Sequence, residues 1–397
     1  MKPRMTSPGL QPGGNEAADE SKAGNKQMNI PLVDLKSQYL SIKSEIDAAL
    51  REVLNSGAFI GGKFVEQFEK QFASFCHTKY AVALASGTDA LYLGLRALRI
   101  KPGDKVITSP FTFIATAEAI ERSSASVVFA DIDEKTYNIS PAEIEKRITR
   151  KTRVIMPVHI FGQVADMTAI NTIARRCGLI VFEDACQSHG ALWKGRPAGS
   201  LGRCAAFSFY PSKNLGAYGD GGAFTTDSAQ LARNMRLLRD HGRKGRYLHS
   251  VKGVNSRLDA LQAAILSVKL RYLNDWNSKR RQAAKLYTRF LADSPEIITP
   301  YISDSAQSVF HIYAVRVPKR DKVVAKLKEN GVHAGVHYPL PVHLQPAFRH
   351  LKMKRGSYPV CEQVCRSVIS LPIYPEITES QIEFVSETLK KAIKKVF

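Results

Sequence analysis

Along the chain, short runs that are apolar throughout alternate with stretches in which apolar residues recur every three or four positions. The runs are YAVALAS (80–86), KVITSP (105–110), SVVFADI (126–132), RVIMPVHI (153–160), LIVFEDA (179–185), AAFSFY (205–210) and GAFTTD (222–227). A strand with one wet face alternates apolar and polar residues, whereas an uninterrupted apolar run belongs to a sheet covered on both faces. Separated by helix-length segments, the runs predict an α/β fold with a mainly parallel sheet. Ahead of them, Ile42, Ile46, Leu50, Val53 and Leu54 keep helical spacing from about 40 to 56, until SGAFIGG breaks the pattern.

The pattern changes after about 257. SRLDALQAAILSVKLRYL predicts a long helix with Leu258, Leu261, Ile265 and Val268 along one stripe. Beyond Ser294 come the strand-like VFHIYAVRVP (309–318), the helical VVAKLKENG and further short elements, the pattern of a smaller α+β domain. Residues 1–29 carry almost no bulky apolar side chains and are expected to be disordered. The predicted division is therefore an extension at 1–29, a large domain at 30–265 and a small C-terminal domain at 266–397.

Length and composition agree with this division. The chain has 397 residues, 44% hydrophobic and 23% charged, which fits two globular domains and excludes collagen-like, coiled-coil and wholly disordered chains. No apolar run nears the roughly 18 residues that cross a bilayer. The opening MKPRMTSPGL lacks the apolar core of a signal peptide, so the expected location is the cytoplasm. Six cysteines form no C-x-x-C pair and follow no disulfide or zinc spacing, and no metal is expected. Cys361 and Cys365 are spaced to share one face of a helix, where packing is the favoured role.

Charge adds a constraint without resolving it. The net charge is +21, and residues 1–29 supply only one unit of it. Such a field favours an anionic partner: nucleic acid, a membrane surface or a phosphorylated small molecule. The basic runs 146–153, 236–246, 279–281 and 390–395 carry no interleaved stacking aromatics, and charge alone does not choose among these partners.

Candidate chemistry gathers in 182–227, FEDACQSHGALWKGRPAGSLGRCAAFSFYPSKNLGAYGDGGAFTTD. A carboxylate pair, Glu183 and Asp184, closes one apolar strand, and Lys213 follows another. A lysine at such a strand end can lose its proton through desolvation and act as a nucleophile, although most lysines are simply exposed. SGTDAL (86–91) follows a strand and should open a helix, whose free N–H groups suit a phosphate. An ordinary serine cap explains the same letters.

Taken together these segments resemble the DegT/DnrJ/EryC1/StrS sugar aminotransferases, pyridoxal-phosphate enzymes of the aspartate-aminotransferase fold. The resemblance runs from about Ile30 to the C-terminus. It is carried in order by SGTDAL, PFTFIATAEAI (110–120), PVHIFGQVADM (157–167), EDACQSHGA (183–191), SFYPSKNLGAYGDGGA (208–223), GVNSRLDALQAAIL (253–266) and VHYPLP (336–341). It implies pyridoxal 5′-phosphate as cofactor. Lys213 would join it covalently and shuttle the proton, and Asp184 would pair with the pyridine nitrogen. Gly87, Thr88 and Ser208 would serve the phosphate, and Gln187 would lie beside the ring's phenolic oxygen. Phe113 would stack on the ring, although PFTF can equally supply core aromatics.

The resemblance also implies a homodimer with shared sites. Asn255 would reach the neighbour's cofactor phosphate and Arg257 a donor or substrate carboxylate, while a local reading has Asn255 or Ser256 capping the next helix. His337 and Tyr338 match residues near the sugar, and His337 reads equally well as a loop histidine before a turn. Glu183, His159 and His189 are assigned structural roles. Two residues depart from the family pattern, Cys186 for alanine and Phe161 for tyrosine, the second with a consequence for sugar contacts.

Lysine at 213 favours transamination, because relatives that dehydrate sugars carry histidine there. The implied reaction moves an amine from L-glutamate to a UDP- or dTDP-linked keto-hexose, with the keto group at C3, for surface-polysaccharide or antibiotic sugars. Neither nucleic acid nor membrane insertion enters this reading. Alternatives are a 4-keto sugar or keto-inositol substrate, a sugar dehydratase of the same fold, and a non-catalytic basic binder. The last leaves Lys213 and Asp184 without a purpose.

Overall fold

The computed structural model describes residues 28–396. The predicted disorder of 1–29 thus falls outside the described residues except at Met28 and Asn29, both exposed. Each apolar run forms a strand: β1 (Tyr80–Leu84), β2 (Lys105–Thr108), β3 (Ser126–Phe129), β4 (Thr152–Met156), β5 (Ile180–Asp184), β6 (Cys204–Ser208) and β7 (Gly222–Thr226). They make one seven-stranded sheet in the order β1-β7-β6-β5-β4-β2-β3. The pairs from β6 to β3 are parallel, while β7 runs antiparallel to both β1 and β6.

Uninterrupted apolarity has the predicted cause. Ala81 and Ala83 pack on one face of the sheet with Phe68, Phe72 and Phe207, while Val82 and Leu84 pack on the other with Leu91, Phe182 and Phe224. The same division separates Ile155 from Val154 and Met156. At roughly 25 cal/mol per Å² of apolar surface removed from water, this double burial contributes to the stability of the sheet.

The first helical segment bends at Ile42 into helices Leu35–Ser41 and Lys43–Ser56, and Gly57 closes the second in a left-handed conformation. Ile42, Ile46 and Val53 are buried as the stripe predicts, but Leu54 is 56% exposed. The long helix runs from Ala260 to Leu291 with Asp259 at its N-cap and no side-chain cap bond. Neither Asn255 nor Ser256 caps it, and Leu258 lies ahead of it, though buried.

This helix crosses the predicted boundary at 265/266 without interruption. Its start packs in the large core through Ala260, Ala263 and Leu266, and its end in a second core through Ala283, Tyr287 and Leu291. The second core surrounds an antiparallel pair, β8 (Tyr313–Arg316) and β9 (Val368–Leu371), with helices Arg320–Glu329 and Glu379–Val396. Ile30 also packs there and bridges to Val332. Cys361 and Cys365 are buried on helix Pro359–Ser367. Among the described residues no helix is long and apolar enough to cross a membrane.

Candidate active site

A cavity of about 510 Å³ opens where the parallel strands end, and His311, Ile312, His337 and Tyr338 close one side. Open parallel sheets place ligands at this edge because loops leaving the strands and helix N-termini converge there. Nine residues singled out from the sequence line it together: Gly87, Thr88, Phe113, Asp184, Gln187, Ser208, Lys213, His337 and Tyr338.

One wall is the start of helix Gly87–Ala97. Ser86 caps it, its side chain accepting from Asp89 N at 3.1 Å, so the cap and the candidate phosphate cradle coexist. A Cβ on Gly87 would stand 2.6 Å from Ser208 Cβ and 3.0 Å from Cys186 Sγ, so the backbone is bare where a phosphate needs its N–H groups. Ser256 is tied to the same turn, donating to Asp89 Oδ2 at 2.8 Å and accepting from Ala85 N at 3.2 Å. Gly87→Ala is expected to weaken pyridoxal phosphate binding about tenfold or more, the consequence of overpacking a filled corner. A titration of the stripped enzyme with the cofactor measures this, and an unchanged Kd contradicts it.

Asp184 ends β5, almost fully buried. Its Oδ2 accepts from Thr116 Oγ1 at 2.8 Å, and Thr116 in turn lies 2.8 Å from Thr112 Oγ1. The second oxygen accepts from Cys186 N at 3.2 Å. Gln187 is pinned through Oε1, which accepts from Phe161 N at 2.7 Å, and its Nε2 donates to Tyr338 Oη at 3.2 Å. Burial raises the Tyr338 pKa, so that hydroxyl stays protonated. Phe113 is 56% exposed and faces Tyr338 with ring centres 6.2 Å apart, which leaves it on the cavity rather than in the core.

Lys213 comes from the loop between β6 and β7. Burial lowers its pKa, against the opposing pull of Cys186 and Asp184, so the amine loses its proton more readily than a surface lysine does. Burial, and then Asp184, pushes the Cys186 thiol well up, so it lines the floor as a neutral group. His337 stands across the cavity with Nδ1 2.8 Å from Ser370 Oγ. Burial, and then Lys213, lowers its pKa to about 4, so it is neutral at pH 7.

Neighbouring polar groups hold these in place. Glu183 is fully buried, and its carboxylate accepts from the N–H groups of Gly199, Leu201 and Gly202. His159 Nδ1 accepts from Ala165 N, which leaves the ring proton on Nε2, 3.0 Å from Glu183. Phe161 packs in the core against Phe111 and Tyr137, away from the cavity lining, so the ring itself makes no contact there.

His189 is buried against Phe207 and Phe209 with neither ring nitrogen partnered. Burial, then Lys213, lowers its pKa to about 3. The unfolded chain therefore binds a proton on this residue that the folded chain refuses, and stability falls as pH drops below about 6.5. At pH 5 the loss is about 2 kcal/mol. His189→Leu should flatten this slope; denaturant unfolding at pH 7 and pH 5 measures it, and an unchanged slope contradicts it.

Asn255 and Arg257 do not join the cavity of their own chain. Asn255 is exposed, and Arg257 donates to Asp240 Oδ1 at 3.2 Å with its Nε buried and unpartnered. Two lining residues had escaped the sequence reading in their roles. Thr116 lies inside a quoted motif, four residues after Thr112, a spacing that brings two hydroxyls together at a helix start. His311 lies 3.4 Å from Lys213 and gave no signal beyond a polar residue between Phe310 and Ile312.

The fold and this cavity agree with what comparison with known proteins finds. Residues 40–390 match the DegT/DnrJ/EryC1/StrS aminotransferase family, and the chain belongs to it. It is 47% identical over 364 residues to a "Pleiotropic regulatory protein" of Geobacillus stearothermophilus, covering 91% of this chain and 98% of that one. It is 43% identical to UDP-2-acetamido-2-deoxy-3-oxo-D-glucuronate aminotransferase of Pseudomonas aeruginosa, covering 91% and 99%. Among solved structures, DesV of S. venezuelae in complex with a ketimine intermediate superposes with a TM-score of 0.90 at 42% identity, covering 92% and 98%.

The chain is thus an aminotransferase, and the cofactor of its family is pyridoxal 5′-phosphate. The cavity fits that group on its own evidence: a desolvated amine for an aldehyde, a buried carboxylate for a ring nitrogen and a bare helix start for a phosphate.

Proposed function

We propose that the protein transfers the amino group of L-glutamate to the C3 keto group of a UDP- or dTDP-linked hexose. The observation that carries this reading is the convergence of Lys213, Asp184 and the Gly87 helix start on one cavity. When bound, the cofactor supplies an electron-withdrawing ring that stabilises negative charge on the carbon bearing the nitrogen. Gly87, Thr88 and Ser208 would hold its phosphate, and Asp184, fixed by Thr116, would keep its ring nitrogen protonated. Gln187, pinned by Phe161 N, would serve the phenolic oxygen, and Phe113 would cover the ring.

Lys213 would join the cofactor as a neutral amine and, when free, would move the proton between the two carbons that exchange it. His337 and Tyr338 border the space left for the sugar. The C3 assignment is supported by the Pseudomonas relative, whose name specifies a 3-oxo sugar. The net charge of +21 suits a nucleoside diphosphate by steering it to the site.

The working form in this reading is a homodimer. Leu54, Phe59 and Ile60 are 56%, 45% and 55% exposed, and Ile60 bridges to Asp259, at the end of the segment that carries Asn255 and Arg257. Exposed apolar residues beside Asn255 and the Asp240-held Arg257 suit a subunit contact through which both side chains would enter the neighbour's cavity.

The test is release of 2-oxoglutarate from L-glutamate with UDP- and dTDP-linked 3-keto and 4-keto hexoses. Stoichiometric release that depends on the 3-keto sugar supports the proposal. Consumption of the sugar without 2-oxoglutarate favours the dehydratase, and release with the 4-keto sugar alone overturns the C3 assignment.

A further inference from the structure

Lys213 has one close partner in the cavity. Its Nζ lies 3.4 Å from Nε2 of His311, in the segment leading into β8. The other ring nitrogen of His311 is buried without a hydrogen-bond partner. His311 also stands between two spaces, lining the cavity of about 510 Å³ and a smaller one of about 110 Å³ that shares Ser212 and His337 and adds Ser370.

The surroundings fix the charge of this ring. Desolvation of the ring, and then the charges of Lys213 and Arg280, hold its pKa well below the ordinary value, and the neutral His337 and His189 rings also face it. Lys213 itself faces Cys186 and Asp184. A lysine nitrogen, charged or neutral, has an N–H to give, and a neutral imidazole has one nitrogen free to accept it. With the ring proton on Nδ1, Nε2 is free to accept from the Lys213 amine.

We propose that His311 is a positioning residue that receives the Lys213 amine whenever that amine is not joined to the cofactor. Once the amino donor has displaced it, the freed lysine rests on Nε2 instead of swinging through the cavity, ready for its proton transfer. No bond other than the hydrogen bond forms or breaks in this step. The proposal rests on the aminotransferase reading above. It has two consequences. An acceptor at Nε2 favours the ammonium form, so its removal leaves burial to depress the lysine further. Its removal also costs the amine its fixed position.

The test compares the full-length wild type, His311→Phe and His311→Gln, the glutamine retaining an acceptor oxygen. Each is stripped of cofactor, checked by thermal unfolding, and mixed with pyridoxal 5′-phosphate across a pH series, with capture followed by visible absorbance. The phenylalanine variant should reach its midpoint about one pH unit lower than wild type. Its single-turnover reaction with L-glutamate should slow about tenfold. The glutamine variant should stay within about threefold of wild type. His311→Leu carries the same comparison if the phenylalanine variant unfolds. Identical midpoints and rates in wild type and the apolar variant overturn the role of His311. A wild type that captures no cofactor overturns the aminotransferase reading instead, so the two failures are distinct.

Discussion

Lys213→Ala is expected to slow amino transfer by at least about a thousandfold while leaving the protein folded. The loss combines the covalent anchor of the cofactor with the proton shuttle, and acid–base groups of this kind alone supply about 10²–10⁴. Stability should be unchanged or higher, because the removed ammonium is opposed by burial. The measurement is the single-turnover rate with L-glutamate beside a thermal unfolding curve. A rate within tenfold of wild type would remove Lys213 from the chemistry.

Asp184→Asn is expected to lower the same rate by about 10²–10³, with the cofactor still held. An amide fills the space of the carboxylate and can still accept from Thr116, but it gives no charge to a protonated ring nitrogen. Breaking one partner of a buried ion pair costs about 3–5 kcal/mol, which is the size of this loss. Thr116→Val removes the hydroxyl that supports Asp184 and contacts Thr112, and should cost about fivefold. That ordering separates the ionic role of Asp184 from a packing role. Equal rates for the asparagine variant and wild type would place the charge requirement elsewhere.

Much of this was legible in the sequence because burial on both faces writes itself as uninterrupted apolar residues. All seven strands of the main sheet were visible for that reason. Their direction was not, since apolarity does not encode it: β7 turns back because 209–221 forms a loop, with no crossover helix to carry the chain round. The long helix was visible through its stripe, but its start was misplaced toward Leu258, which is buried for a reason unrelated to helix periodicity.

Nine of the eleven singled-out site residues meet in one cavity because their motifs sit at strand ends or in loops beside them, where chain order and space coincide. Thr116 and His311 act on residues 68 and 98 positions away, and no local pattern records such a pairing. Asn255 and Arg257 were placed by resemblance, and their own chain leaves them outside its cavity. In the proposed homodimer they would enter the cavity of the second copy.

In the proposed reaction Lys213 carries pyridoxal phosphate through the amino transfer. The most direct measurement is the visible absorption spectrum of the purified protein before and after L-glutamate, for wild type and Lys213→Ala. The wild type is expected to show a visible band for the lysine-bound cofactor, bleached by glutamate and restored by a keto acceptor, and the variant no such cycle. No band after incubation with added pyridoxal phosphate, or an intact cycle in the variant, would contradict it.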